Sequence, residues 1–257
     1  MASLKARLRA REPVAGMHVS LVDACITELC GQAGFDFIWI DTEHTAIDHH
    51  VLLQHVIAAK AAGTDSLVRV AWNDPVQTKR VLEMGPTGIV FPMVSTPEDL
   101  DRAMRSTVYP PYGTRGFGPI RANRYGHDSE EDYLREANTS LVRCVQIETA
   151  TAVERLPEMA KNPWVDCFVI GPYDLSASIG ELGDVFGENT SRLVERTVAV
   201  LTAAGKSIGV STASDDPKVL RHWHDKGINF ISAGTDFVHV TNGARAVRRM
   251  LKEIQGS

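Results

Sequence analysis

The chain has few cysteines, four in 257 residues, at positions 25, 30, 144 and 167. None forms a CxxC pair or stands beside a histidine at zinc-finger spacing, so a disulfide framework and a thiolate zinc site are both excluded. Cys144 and Cys167 lie inside apolar runs and read as small buried hydrophobes. No apolar stretch is long enough to span a bilayer. The basic N-terminus, Met1 to Arg11, lacks the apolar segment of a secretory signal. There is no long basic run, and the formal net charge is -5, which disfavours nucleic acid as a partner. These absences together lead us to expect a cytoplasmic protein with reduced thiols and no membrane or nucleic-acid role.

What is present is a regular alternation. Apolar runs, each four to eight residues long, begin near Pro13, Phe35, Asp65, Thr87, Leu141, Val165, Lys206 and Ile228. Helical spacing fills the intervals, with Asp48 placed to cap one helix and Pro75 to open another. Strands this apolar on both faces belong to a parallel sheet covered by helices. Eight β/α units in a chain of this length predict one (β/α)8 barrel over residues 1–257, with no domain boundary. An open doubly wound sheet is the alternative, but no GxGxxG follows the first strand. The longest irregular stretch, Tyr109 to His127, is rich in arginine and aromatics and reads as functional.

In such a barrel the active site lies at the C-terminal strand ends. The polar residues expected there are Asp41, Glu43 and His44, then Arg69, then Gln146 and Glu148, then Asp174, with Ser211 and Thr212 on the seventh strand. Glu148 and Asp174 close adjacent strands of one β/α/β unit, Leu141 to Gly180. Two carboxylates so placed suit Mg²⁺ or Mn²⁺, which keep exchangeable positions for substrate oxygens; Asp174 also fits an ordinary helix N-cap. His44, flanked by acids, has the character of a general base. Arg69, embedded in Leu-Val-Arg-Val, needs a buried partner or an anion. No lysine falls at a strand end: Lys206 starts its strand, and Lys60, Lys79, Lys218 and Lys226 fall on helices. Imine chemistry is therefore disfavoured against Lewis-acid activation by a metal.

Five segments carry a resemblance across nearly the whole chain: Ala33 to His44 (AGFDFIWIDTEH), Leu67 to Val70 (LVRV), Tyr109 to Gly116 (YPPYGTRG), Val145 to Glu148 (VQIE) and Ile170 to Gly180 (IGPYDLSASIG). In this order and spacing the chain resembles the HpcH/HpaI family of metal-dependent (class II) pyruvate aldolases. The resemblance implies a phosphoenolpyruvate/pyruvate-type barrel that cleaves a 2-keto-4-hydroxy acid to pyruvate, or hydroxypyruvate, and an aldehyde. It implies Glu148 and Asp174 as ligands of Mg²⁺ or Mn²⁺, with Co²⁺ as a further option. His44 becomes the base and Arg69 the stabiliser of the enolate, with Asp41 or Glu83 tuning the histidine. Gln146, Gly171, Pro172, Tyr173 and Asp174 contact the pyruvyl part. Glu83 stands where an aspartate is usual, and Tyr173 where a small residue is common. Arg121 and Arg124 could hold a distal carboxylate of the substrate or brace their loop. The family's assembly implies a homo-hexamer, a dimer of trimers with an exchanged C-terminal helix. Three competing functions share the fold: an oxaloacetate decarboxylase of the macrophomate synthase kind, a CoA-dependent lyase, and a pyruvate-binding regulator without catalysis.

Overall fold

The computed structural model describes residues 2–256; residues 1 and 257 of the expected domain span lie outside that range. Eight strands close into a barrel in sequence order: β1 (Val14–Val19), β2 (Phe37–Asp41), β3 (Asp65–Arg69), β4 (Gly88–Phe91), β5 (Val142–Ile147), β6 (Cys167–Ile170), β7 (Ser207–Thr212) and β8 (Phe230–Thr235). Every neighbouring pair is parallel, including β1 with β8. The helices are α1 (Leu4–Arg9), α2 (Cys25–Gln32), α3 (His49–Ala61), α4 (Pro75–Glu83), α5 (Pro97–Ser106), α6 (Glu130–Ser140), α7 (Ala150–Met159), α8 (Pro172–Ala177), α9 (Glu188–Ala203), α10 (Pro217–Asp225) and α11 (Asp236–Gln255).

Helix starts follow local chemistry. The Asp48 side chain accepts from Val51 N–H at the start of α3, and Asp74 accepts from Val76 and Gln77 before Pro75. Each such cap is worth roughly 1 kcal/mol. At α8 the alternative reading of Asp174 as an N-cap fails. The N-cap is Gly171, and Asp174 sits inside the first turn, which leaves its carboxylate free of that task.

Side chains alternate in and out along each strand, so the barrel has two apolar layers. The outer one lies between strands and helices and includes Met17, Ile38, Ile40, Val68 and Val145. The inner one includes Val14, Phe37, Trp39, Leu67, Val90, Cys144, Val169 and Phe230, closed from below by Leu4 and Leu8 of α1. Phe37 and Phe230 stack with centroids 4.3 Å apart. Gly16 makes room for them, because a Cβ there would fall 2.1 Å from the Phe37 ring. Higher up, the inward positions turn polar: His18, Asp41, Arg69, Gln146, Ser211 and Ser232.

One irregularity re-aims side chains. Gly16 pairs with Ser232 but His18 pairs with Thr235, so β8 uses one residue more than β1. Gly234, at φ 67°, absorbs the extra residue in a bulge. Ser232 and Thr235 then share the inward face, although three positions separate them.

The segment 107–129 packs against α4 and α6 and contains only a short 3-10 turn, Arg124–Gly126. No helix among the described residues is long and apolar enough to cross a membrane.

Candidate active site

At the C-terminal strand ends a cavity of about 430 Å³ opens to solvent, lined by Asp41, His44, Arg69, Gln146 and Asp174 with residues of β1, β7 and β8. Five site residues expected from sequence, arising from four different strand ends, thus meet in one space. Gly171, Pro172 and Tyr173 line it too. Tyr173 stands at the mouth, 57% exposed, and does not crowd the floor.

Arg69 is the organising cation. Its Nε donates to Asp41 Oδ1 at 2.9 Å and one terminal nitrogen donates to Asp41 Oδ2 at 2.7 Å. Its other terminal nitrogen lies 2.9 Å from Glu43 Oε2 and 3.5 Å from Gln146 Oε1. The guanidinium also sits 5.7 Å from the Trp39 ring centroid. The buried charge therefore has its partners, as burial requires. Burial alone would raise the Asp41 pKa, but the two-pronged Arg69 contact holds it below the ordinary carboxylate value. Asp41 is thus committed to Arg69 in a bidentate fork, which leaves it little role in tuning His44.

The acid nearest His44 is Glu43, whose Oε2 lies 3.6 Å from His44 Nε2. Burial pushes the Glu43 pKa up to about 7 against the opposing pull of Arg69. The sequence places Glu43 at the correct strand end but gives no reason to prefer it over Asp41. Glu83 does not line the cavity. It pairs with Arg115 at 3.1 Å, and Arg115 in turn lies 4.5 Å over the Tyr109 ring. One Glu83 oxygen is buried without a partner. Within its own barrel, then, Glu83 is no partner of His44.

Glu148 is 3% exposed and sits just beneath the cavity surface. Its Oε2 accepts from Met93 N–H at 3.0 Å, and its Oε1 is in close contact with the Gln146 amide nitrogen. Gly171 lets it pack there: a Cβ would lie 2.9 Å from Glu148 Cγ. Burial raises its pKa to about 7, and the Asp174 and Glu43 carboxylates add to the rise. Among the described residues neither Glu148 nor Asp174 forms an ion pair. A buried carboxylate beside others, with no cation on it, is the donor set a hard divalent ion would satisfy. Among the described residues no three His, Cys, Asp or Glu side chains cluster as a metal cage. Two carboxylates suffice for Mg²⁺, which keeps several waters.

Arg121 and Arg124 do not reach this cavity. Arg121 donates to Met84 and Gly85 carbonyls, and Arg124 grips Asp128 with its Nε 2.9 Å from each carboxylate oxygen. Both brace the loop. The residue that sequence reading missed is His18. It is 6% exposed, inward on β1, and lines the cavity. Its Nε2 is 3.3 Å from Ser211 Oγ and its Nδ1 is 3.2 Å from Ser232 Oγ, with the ring 4.8 Å from Trp39. Strand alternation from Gly16 is the signal that would have found it.

Residues 14–243 match the family described as HpcH/HpaI aldolase/citrate lyase. A 4-hydroxy-2-oxo-heptane-1,7-dioate aldolase of Shigella sonnei is 34% identical over 245 residues, 95% of this chain and 93% of that protein. A crystal structure of an HpcH/HpaI aldolase/citrate lyase family protein from Burkholderia cenocepacia superposes with TM-score 0.90 at 33% identity, covering 99% of this chain and 100% of that one. A citrate synthase, SbnG, superposes with TM-score 0.87 at 27% identity over 99% of both chains. With the barrel, the ordered motifs and these similarities in agreement, the chain belongs to the HpcH/HpaI aldolase/citrate lyase family and is a lyase of the aldolase type.

Proposed function

We propose that the protein cleaves a 2-keto-4-hydroxy acid reversibly to pyruvate, or hydroxypyruvate, and an aldehyde, with a divalent cation, Mg²⁺ or Mn²⁺, held by Glu148 and Asp174. The observation that carries this reading is the fixed guanidinium of Arg69 in the same cavity as Asp174 and His44. When bound, the cation would act as a Lewis acid on the keto acid. Arg69, locked by Asp41 and Glu43, presents positive charge where enolate charge develops and needs no rearrangement to do so. Gln146 and the Gly171 to Asp174 turn hold the pyruvyl end. His44, with Glu43 behind it, takes the proton from the C4 hydroxyl. The C3–C4 bond breaks, the aldehyde leaves, and the electron pair stays on the pyruvyl half as enolate, which a proton then quenches at C3. The decisive test follows pyruvate release from 2-keto-4-hydroxy acids before and after EDTA. Activity should vanish and return with Mn²⁺ or Mg²⁺; full activity in metal-free protein would overturn the metal reading.

The C-terminal helix supports a homo-oligomer. Of the twenty residues of α11 only Asp236 is buried, and Val240, Val247, Met250, Leu251 and Ile254 stand exposed. An apolar face of that kind calls for a partner, and exchange of α11 within a dimer of trimers would supply one. In such an assembly Glu83 would serve a neighbour's site. We place the enzyme in the cytoplasm, where its four free cysteines stay reduced.

A second reading rests on His44, whose side chain is 66% exposed in a single chain while the enolate site is complete. Decarboxylation of oxaloacetate needs the latter and no C4-hydroxyl base. Comparing oxaloacetate with a hydroxy-keto acid at equal enzyme separates the two.

A further inference from the structure

The wall of the cavity built by β7, β8 and β1 takes no part in the chemistry above, yet it is the most deliberately shaped. The β8 bulge at Gly234 turns Ser232 and Thr235 to the same side. Ser211 of β7 and His18 of β1 complete the row, joined through the imidazole at 3.3 and 3.2 Å. Burial pushes the His18 pKa down to about 3, so the ring is neutral, with one donor and one acceptor nitrogen. Thr235 is 7% exposed, lines the cavity, and its hydroxyl oxygen has no hydrogen-bond partner. It stands at the N-cap of α11 but makes no side-chain capping bond. A buried hydroxyl without a partner is costly unless a ligand supplies one.

Within one chain, the charge around this wall disfavours an anion. Arg69 is the only lysine or arginine lining the cavity among the described residues, and Asp41 and Glu43 already hold it. At the start of α11, where free N–H groups would attract a carboxylate or phosphate, the buried Asp236 already supplies a carboxylate. Its Oδ2 accepts from Ser20 and Leu21 N–H at 2.9 and 2.8 Å, and its Oδ1 accepts from Phe237 N–H at 2.9 Å. Arg121 and Arg124 are turned to their own loop.

Building on the lyase reading above, we propose that the His18–Ser211–Thr235 wall, with Ser232 buried behind the imidazole, is the specificity element for the aldehyde half. It selects a neutral, hydroxylated aldehyde over one that ends in a carboxylate. Thr235 and Ser211 exchange hydrogen bonds with hydroxyl groups of the substrate, and His18 orients Ser211 and Ser232 and acts as a positioning residue.

The test runs the full-length, Mn²⁺-loaded enzyme in the aldol direction, with pyruvate and three acceptors: glyceraldehyde, propionaldehyde and succinate semialdehyde. Glyceraldehyde should show the highest kcat/KM, roughly ten-fold above the other two, as expected for one or two neutral hydrogen bonds. In the Ser211→Ala/Thr235→Val double variant the glyceraldehyde-to-propionaldehyde ratio should fall by about ten-fold, and in each single variant by about three-fold. A preference for succinate semialdehyde in the wild type, or a ratio that none of the variants moves, overturns the proposal. Exchange of the pyruvate methyl protons with D₂O, read by NMR on the wild type, separates the levels. Exchange without the hydroxyl preference sinks this inference alone. Absence of exchange sinks the lyase reading and this inference with it.

Discussion

The two ends of the barrel both bury charge, and they do so to opposite effect. At the N-terminal end, Lys5 of α1 is 2.6 Å from both the Leu141 carbonyl and Asp166 Oδ2. Asp166 also accepts from the Arg143 N–H at 3.0 Å and from Arg9 at 3.3 Å. The Arg143 side chain is wholly buried and gives its donors to Thr107 and the Leu141 carbonyl. Every charged atom there is answered by another protein atom. At the C-terminal end Arg69 is equally well held, but among the described residues Glu148 has no cation and Thr235 no partner. Burial drives Glu43 and Glu148 up to about 7 there. The same physics that makes the lower network a plug makes the upper one a site: unanswered valences mark where a ligand belongs.

Substitutions should separate the two ends cleanly. The largest effect is expected from Arg69→Lys. It keeps the charge but loses the planar fork to Asp41, and kcat for aldol cleavage should drop by about 10²–10³. Thermal stability should change little; a large loss of Tm with unaltered kcat would mean that Arg69 only braces the barrel. His44→Ala should lower aldol cleavage by about 10²-fold or more while sparing decarboxylation of oxaloacetate. Equal losses in both assays would remove its role as base. At the other end, Asp166→Asn leaves Lys5 and Arg9 without their carboxylate and should destabilise by about 3 kcal/mol. For a chain of this size that is roughly a 6–12 °C fall in Tm, with kcat per folded molecule unchanged. An unchanged Tm would break the comparison.

The smallest effect is a pH slope. The folded-state pKa of His18 lies near 3, held there by burial and by Arg69, against an ordinary 6.5. Between those values the unfolded chain binds a proton that the folded chain refuses. Stability therefore falls as pH drops below about 6.5, by about 1.4 kcal/mol per pH unit from this residue. Urea melts at pH 7 and pH 5 should show a steeper loss for the wild type than for His18→Asn. Identical slopes would place the imidazole in solvent.

Eight alternating apolar runs sufficed to give the barrel and its strand ends, because inward burial and parallel pairing leave a period-two and helical signature in any one sequence. The same strand-end filter returned Asp41, His44, Arg69, Gln146 and Asp174, which the cavity does bring together. It failed for His18, which sits one pleat inside its strand and follows only from knowing which face of β1 points inward. It failed for the partner of His44 as well, since Asp41 and Glu43 differ in sequence only by two positions and the choice belongs to Arg69.

Composition and periodicity by themselves determined the fold class and the end of the barrel at which the candidate residues gather. Only tertiary structure decided which valences stay open. The bulge at Gly234 that brings Thr235 to face the cavity, the fork that takes Asp41 away from His44, and the turn of Arg121 and Arg124 toward their own loop all depend on contacts between residues far apart in the chain. Local sequence carries no record of such contacts, since each partner is set by the register and packing of elements that only the closed barrel defines.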